Sequence, residues 1–192
     1  NLDAGLAGGK RDFSPKHVVE LFLDTVSGIF VPFIPAVVCC GLLQGILYSI
    51  ASFGLISMES PEYTFFYTCA NTAFYFMPIL IAFSAGKRFK CNPMIAAAVA
   101  LALVSSNLQA AIQSEEGLRF LGIQLSMPKQ GYGSAIIPII FIIWFMSVIE
   151  HFCTKHIHPA ARNIVTPLVE LVITVPVSFL VFGPIFSALQ AA

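Results

Sequence analysis

The sequence predicts an all-α integral membrane protein, with about five transmembrane helices preceded by an amphipathic helix on the membrane surface. Hydrophobic residues fill 57% of its 192 positions and charged residues only 10%, with a mean hydropathy of +0.85, whereas a soluble domain carries roughly 25% charged residues. The charges are also gathered in short clusters. Between them lie apolar stretches of roughly 20 residues, the length a helix needs to cross the hydrocarbon of a bilayer. The lipid bilayer is therefore the first expected partner.

Residues 1–13 contain Gly5, Gly8 and Gly9 with Lys10, Arg11 and Asp12, a composition that cannot bury a core and predicts a linker. They are unlike a cleavable signal peptide, so the first span is expected to act as the insertion signal. The chain does not begin with Met, and a preceding segment is expected. Ser14 and Pro15 then form a helix-start signal. After them Val18, Val19, Leu21, Phe22 and Val26 recur on one face, which predicts a helix lying on the membrane surface.

The first span is expected from about residue 29 to 56, kinked or restarted by Pro32 and Pro35, which remove backbone donors. A second is expected from about 65 to 85 with Pro78, and a third from about 93 to 112. The fourth is expected from about 132 to 152 with Pro138, and the fifth from about 164 to 187 with Pro176 and Pro184. Of the ten basic residues, Lys10, Arg11, Lys16, Lys87, Arg88, Lys90, Lys155 and Arg162 fall on one side of this topology, and only Arg119 and Lys129 on the other. Basic residues collect on the cytoplasmic side, which predicts a cytoplasmic N-terminus.

Net charge is zero, so no general field favours nucleic acid as a partner. Cys39, Cys40, Cys69, Cys91 and Cys153 lack the paired C-x-x-C spacing of a zinc or redox site and are read as small packing residues. His151, Cys153, His156 and His158 cluster after the fourth span, but their spacing matches no common metal site. A positive loop with Lys155 and Arg162 explains them more simply. No cofactor, metal or catalytic residue is expected: there is no phosphate-binding glycine loop, no nucleophile elbow and no carboxylate pair suited to acid and base roles.

Two features inside the spans stand out. Gly41 and Gly45 form a small-xxx-small pattern that allows close helix packing. Glu170 is the one carboxylate well inside a predicted span, which makes it a functional candidate, although it lies close enough to the edge for its side chain to reach headgroups or water. Gln44, Asn71, Asn107, Gln109 and Gln113 are read as interhelical hydrogen-bonding amides.

Several stretches resemble the membrane (IIC) component of sugar phosphotransferase-system (PTS) permeases, in the β-glucoside and sucrose-type branch of the glucose superfamily. They are Ile29 to Ala36 with Pro32 and Pro35, Phe74 to Ala85 with Phe76 and Pro78, and Lys90-Cys91-Asn92-Pro93. Tyr132 to Pro138 and Phe182-Gly183-Pro184-Ile185 follow in the family's order. One departure is that Ala102-Leu103-Val104 is followed by Ser105-Ser106, where the family commonly has His-Pro, so any role of that histidine cannot be carried over.

The resemblance implies a permease that moves a sugar across the bacterial inner membrane while a cytoplasmic IIB domain phosphorylates it, a protein-phosphohistidine-sugar phosphotransferase in its complete form. The implied partners are the IIB domain, the remaining half of IIC, the phosphorelay proteins IIA and HPr, the sugar, and a second copy in a homodimer. Neither the IIB cysteine motif nor the later sugar-contacting glutamate motif occurs in this stretch. Residues 14–192 are accordingly expected to form the N-terminal scaffold half, with 1–13 as the joint from a preceding IIB domain. A membrane scaffold protein, or a secondary transporter without phosphoryl coupling, fits the hydropathy pattern equally well.

Overall fold

The computed structural model describes residues 15–114, 118–120, 123–125 and 136–191. The expected linker 1–13 and Tyr132 lie outside these residues. Apart from turns, the described residues are helical except for a two-residue antiparallel ladder, β1 (Arg119–Phe120) with β2 (Ile123–Gln124), in which Arg119 faces Gln124.

Helix α1 (Pro15–Phe30) covers the amphipathic segment and passes through a 3-10 turn, Val31–Phe33, into α2 (Ile34–Ser52). Pro32 sits in that turn and Pro35 in the first turn of α2, positions where a missing N–H costs no intrahelical bond. The prolines thus tighten the junction without parting the helices. Next come α3 (Pro61–Tyr75), α4 (Met77–Arg88), α5 (Pro93–Val104) and α6 (Ser106–Gln113). The chain returns in α7 (Ile136–His156) and α8 (Pro159–Val177), then a π-helical turn, Ser178–Phe182, and α9 (Gly183–Ala191).

Three helical stretches, Val19–Ser52, Ile136–His156 and Ala161–Ala188, are long and apolar enough to span a bilayer. The second and third expected spans are instead bent pairs, α3 with α4 at 40° and α5 with α6 at 44°, which bring the total to five when each pair is one span. The first bend falls at Phe76, just before Pro78 at the start of α4, because proline restricts the residues preceding it and lacks a donor. The second falls at Ser105, whose ψ of 118° leaves the helical region. There Gln109 Nε2 donates to the Leu103 carbonyl at 2.9 Å, satisfying an acceptor near the break.

The core is built by α4, α5 and α7. Ile81, Ala82 and Ala85 meet Ala96, Val99, Ala100 and Leu103, with Ile139, Ile142, Ile143 and Met146 closing the third side. Inside a bilayer the lipid is as apolar as leucine, so close packing of small residues holds helices together rather than escape from water. Gly86 is the tightest point: a Cβ there would stand 2.8 Å from Pro93 Cα and 3.0 Å from Ala96 Cβ. Phe141, Trp144, Val148, Leu168 and Val172 point outward, as a lipid-facing surface requires.

Candidate functional site

The connection between α4 and α5 organises the polar end of the bundle. Lys90 takes a left-handed φ of 57°, Cys91 N–H donates to the Gly86 carbonyl at 3.0 Å and Lys90 N–H to Lys87 at 3.3 Å. These two hydrogen bonds close α4 as a Schellman cap. Asn92 then starts α5: its side-chain oxygen accepts from Met94 N–H at 3.0 Å and Ile95 N–H at 3.4 Å, and Pro93 occupies the first helical turn. Lys90-Cys91-Asn92-Pro93 is therefore a helix stop followed at once by a helix start.

Across from this turn, Glu150 near the end of α7 accepts the Asn92 backbone N–H at 2.7 Å. Glu150, Asn92 and Thr154 form one side of a cavity of about 250 Å³, and Arg162, Asn163, Thr166 and Glu170 of α8 form the other. Arg162 donates to the Thr154 carbonyl at 2.5 Å, fastening the start of α8 to α7. Glu170 is only 1% exposed. Among the described residues, neither of its carboxylate oxygens has a hydrogen-bond partner, and the same holds for Thr166 Oγ1, Thr174 Oγ1 and Arg162 Nε. Burial, and after it the carboxylates of Glu150 and Glu170, push the Cys91 thiol beside this cavity up to about 12.

Glu170, already a candidate in the sequence, thus lies inside the bundle rather than at its edge. Reading the sequence missed Glu150 and Thr166, and counted Arg162 only as a loop charge. A signal for the α8 row existed: Arg162, Thr166, Glu170, Thr174 and Ser178 recur at every fourth position, and four residues advance about 6 Å along one helical face. Nothing in the spacing pointed to Glu150 or Asn92, which come from other helices.

Phe76 occupies the α3–α4 bend, Pro78 and Pro138 are buried in the first turns of α4 and α7, and Gly183 and Pro184 open α9 after the π-helical turn. A Cβ at Gly41 would stand 3.9 Å from Phe74 Cζ, and one at Gly45 would meet nothing within 4 Å. In the histidine cluster, His151 Nδ1 lies 2.6 Å from the Ser147 carbonyl and His156 Nδ1 2.8 Å from Phe152. Among the described residues no three His, Cys, Asp or Glu side chains converge on a metal position.

A multi-pass helical bundle with a polar cavity between its helices defines an integral membrane protein, and the ionisable Glu170 within it marks a candidate site. Its family follows from comparison: residues 27–192 match the model of the phosphotransferase system EIIC family, and the chain belongs to that family. It is 34% identical to a "PTS system beta-glucoside-specific EIIBCA component" of Dickeya chrysanthemi, over 85% of this chain and 26% of the relative. It is also 34% identical to a "PTS system sucrose-specific EIIBC component" of Bacillus subtilis (strain 168), over 88% of this chain and 37% of the relative. The sucrose-specific EIIBC component of Salmonella typhimurium is 33% identical over 85% of this chain and 36% of the relative. The chain spans about a quarter to two-fifths of the length of these relatives. No solved structure matches.

Proposed function

We propose that this chain is the N-terminal scaffold half of the membrane domain of a sugar PTS permease. The permease carries a β-glucoside or sucrose-like sugar across the bacterial inner membrane as its IIB domain phosphorylates it. The observation that carries this is the family match over residues 27–192, together with relatives named for β-glucosides and sucrose. The EIIBC and EIIBCA names of those relatives support a IIB domain, and in some relatives a IIA domain, as fused partners of this membrane segment. HPr, the later half of IIC and a second copy of the permease complete the assembly. Residues 1–13 join it to IIB, and Gly41 and Gly45 receive a helix from outside this chain.

The cytoplasmic side is the end that bears Lys87 and Arg88 in the last turn of α4 and Lys155 in the last turn of α7. The positive-inside rule favours that arrangement.

The test is uptake and phosphorylation of β-glucosides, sucrose, trehalose and glucose by cells expressing the complete gene, with the general PTS proteins present or deleted. Uptake that depends on those proteins is the expected result and names the sugar. Uptake that survives their deletion indicates a secondary transporter, and no uptake of any sugar indicates a scaffold.

A further inference from the structure

The cavity between α7, α8 and the Asn92 turn contains hydrogen-bonding atoms that the bundle itself does not satisfy. Thr166 is 5% exposed and Glu170 is 1% exposed. Thr166 Oγ1, both Glu170 oxygens and Arg162 Nε have no hydrogen-bond partner among the described residues, and all three residues line the cavity. A buried polar atom left without a hydrogen-bond partner is costly, so these atoms call for an occupant. Glu150 differs, because its carboxylate already accepts the Asn92 N–H.

The chemistry of the unsatisfied atoms narrows that occupant. The Glu170 carboxyl accepts and in its protonated form also donates, Arg162 Nε only donates, and the Thr166 hydroxyl does both. A metal cation would satisfy the carboxylate but be repelled by the guanidinium. A phosphate or carboxylate ligand would satisfy the guanidinium but meet repulsion from the Glu150 carboxylate in the same lining. A neutral ligand with several hydroxyls answers all of them, since each hydroxyl donates one hydrogen bond and accepts others. The volume of about 250 Å³ lies below the roughly 300–1,000 Å³ of pockets for drug-sized ligands, which suits one sugar ring rather than two.

Resting on the permease reading above, we propose that this cavity is a subsite for a single pyranose ring of the transported sugar before its phosphorylation, held by Glu170, Thr166 and Arg162. It lies at the basic end of the bundle and so takes the sugar on its way to the cytoplasm.

The test uses the complete permease in inside-out vesicles, with Asn163→Cys or Thr154→Cys at the mouth of the cavity, whichever variant retains uptake. Modification by a water-soluble maleimide at that position is followed by mass spectrometry, with methyl β-glucoside, sucrose or mannitol added. The expected result is that the transported sugar slows modification about tenfold at about ten times its dissociation constant, because only the unoccupied fraction reacts. Mannitol leaves the rate unchanged, as does the transported sugar at Lys155→Cys, an exposed position outside the cavity lining. Adding Glu170→Leu abolishes the protection, and Glu170→Gln keeps part of it. If Glu170→Leu does not reach the membrane, Thr166→Val takes its place, with weakened protection expected. Equal modification with and without the transported sugar, in a variant that still takes it up, overturns the subsite and leaves a cavity filled with water. Undiminished protection in Glu170→Leu, or in Thr166→Val where it replaces it, overturns it too. If the unmodified permease takes up no sugar, the permease reading itself falls and the subsite with it.

Discussion

The backbone N–H of Asn92 donates to the Glu150 carboxylate at 2.7 Å, tying the first residue before α5 to the far end of α7. Asn92 also caps α5 with its own side chain, so one residue starts a helix and anchors its neighbour.

Removing the Glu150 acceptor is expected to loosen that joint. A hydrogen bond to a charged group contributes about 1.5–3 kcal/mol when buried. Glu150 is half-exposed, so the expected loss for Glu150→Ala is nearer about 1 kcal/mol. Thermal unfolding of the purified complete permease in detergent checks it, with Glu150→Gln, which keeps an acceptor, expected to lose less. Asn92→Ala removes the cap and is expected to cost about 1 kcal/mol in the same assay.

Gly86→Ala places a methyl group 2.8 Å from Pro93 Cα, which is backbone and cannot swing aside. The expected outcome is a destabilisation of about 1–3 kcal/mol as α4 and α5 are pushed apart. Gly45→Ala, where nothing lies within 4 Å, adds no clash inside this half, so any loss it shows in the complete permease reports the helix packed there from outside. Expression and unfolding temperature of the two variants give the comparison.

Lys90 adopts φ of 57°, a conformation that glycine takes at no steric cost and a β-branched residue resists. Lys90→Gly is expected to stabilise by up to about 1 kcal/mol, and Lys90→Val to destabilise by more than that. An unfolding series in the order glycine, lysine, valine tests the Schellman cap directly.

The Cys91 thiol, pushed up to about 12 by burial and by Glu150 and Glu170, is expected to stay unreactive toward maleimide as pH rises from about 7 to 10. An unperturbed thiol gains thiolate, and hence rate, over that interval. The sign for stability is equally definite. Below the ordinary value of 9.0 the thiol is protonated whether folded or unfolded and pH has no effect through it. Between 9.0 and about 12 only the unfolded thiol ionises, so stability falls as pH rises. Labelling of Cys91 that climbs with pH in the folded protein would contradict this.

The helices were legible in the sequence to different degrees. Hydropathy located what the structure shows as three spanning stretches and two bent pairs, five spans when each pair counts as one, because a run long enough to cross hydrocarbon needs no knowledge of neighbours. Asn92 followed by Pro93 marked a helix start by its own chemistry. The bends at Phe76 and Ser105 were not anticipated: proline was assigned to the interior of a continuous second span, whereas Pro78 begins a new helix. The left-handed turn at Lys90 was also hidden, since glycine is the residue that usually announces it.

Composition and span length by themselves determined that this protein is a multi-pass helical membrane protein, and its ordered motifs pointed to the EIIC family. Which apolar faces meet lipid and which meet each other was decided only by the tertiary structure, because in a bilayer both kinds of face are equally apolar. The same holds for the cavity. Glu170 was visible as a charge in a span, but its company of Asn92, Glu150, Arg162 and Thr166 exists only once α7 and α8 pack against the α4–α5 turn. Hydrogen-bond satisfaction depends on which groups the fold brings within about 3 Å, and residues distant in sequence reach that separation only through packing.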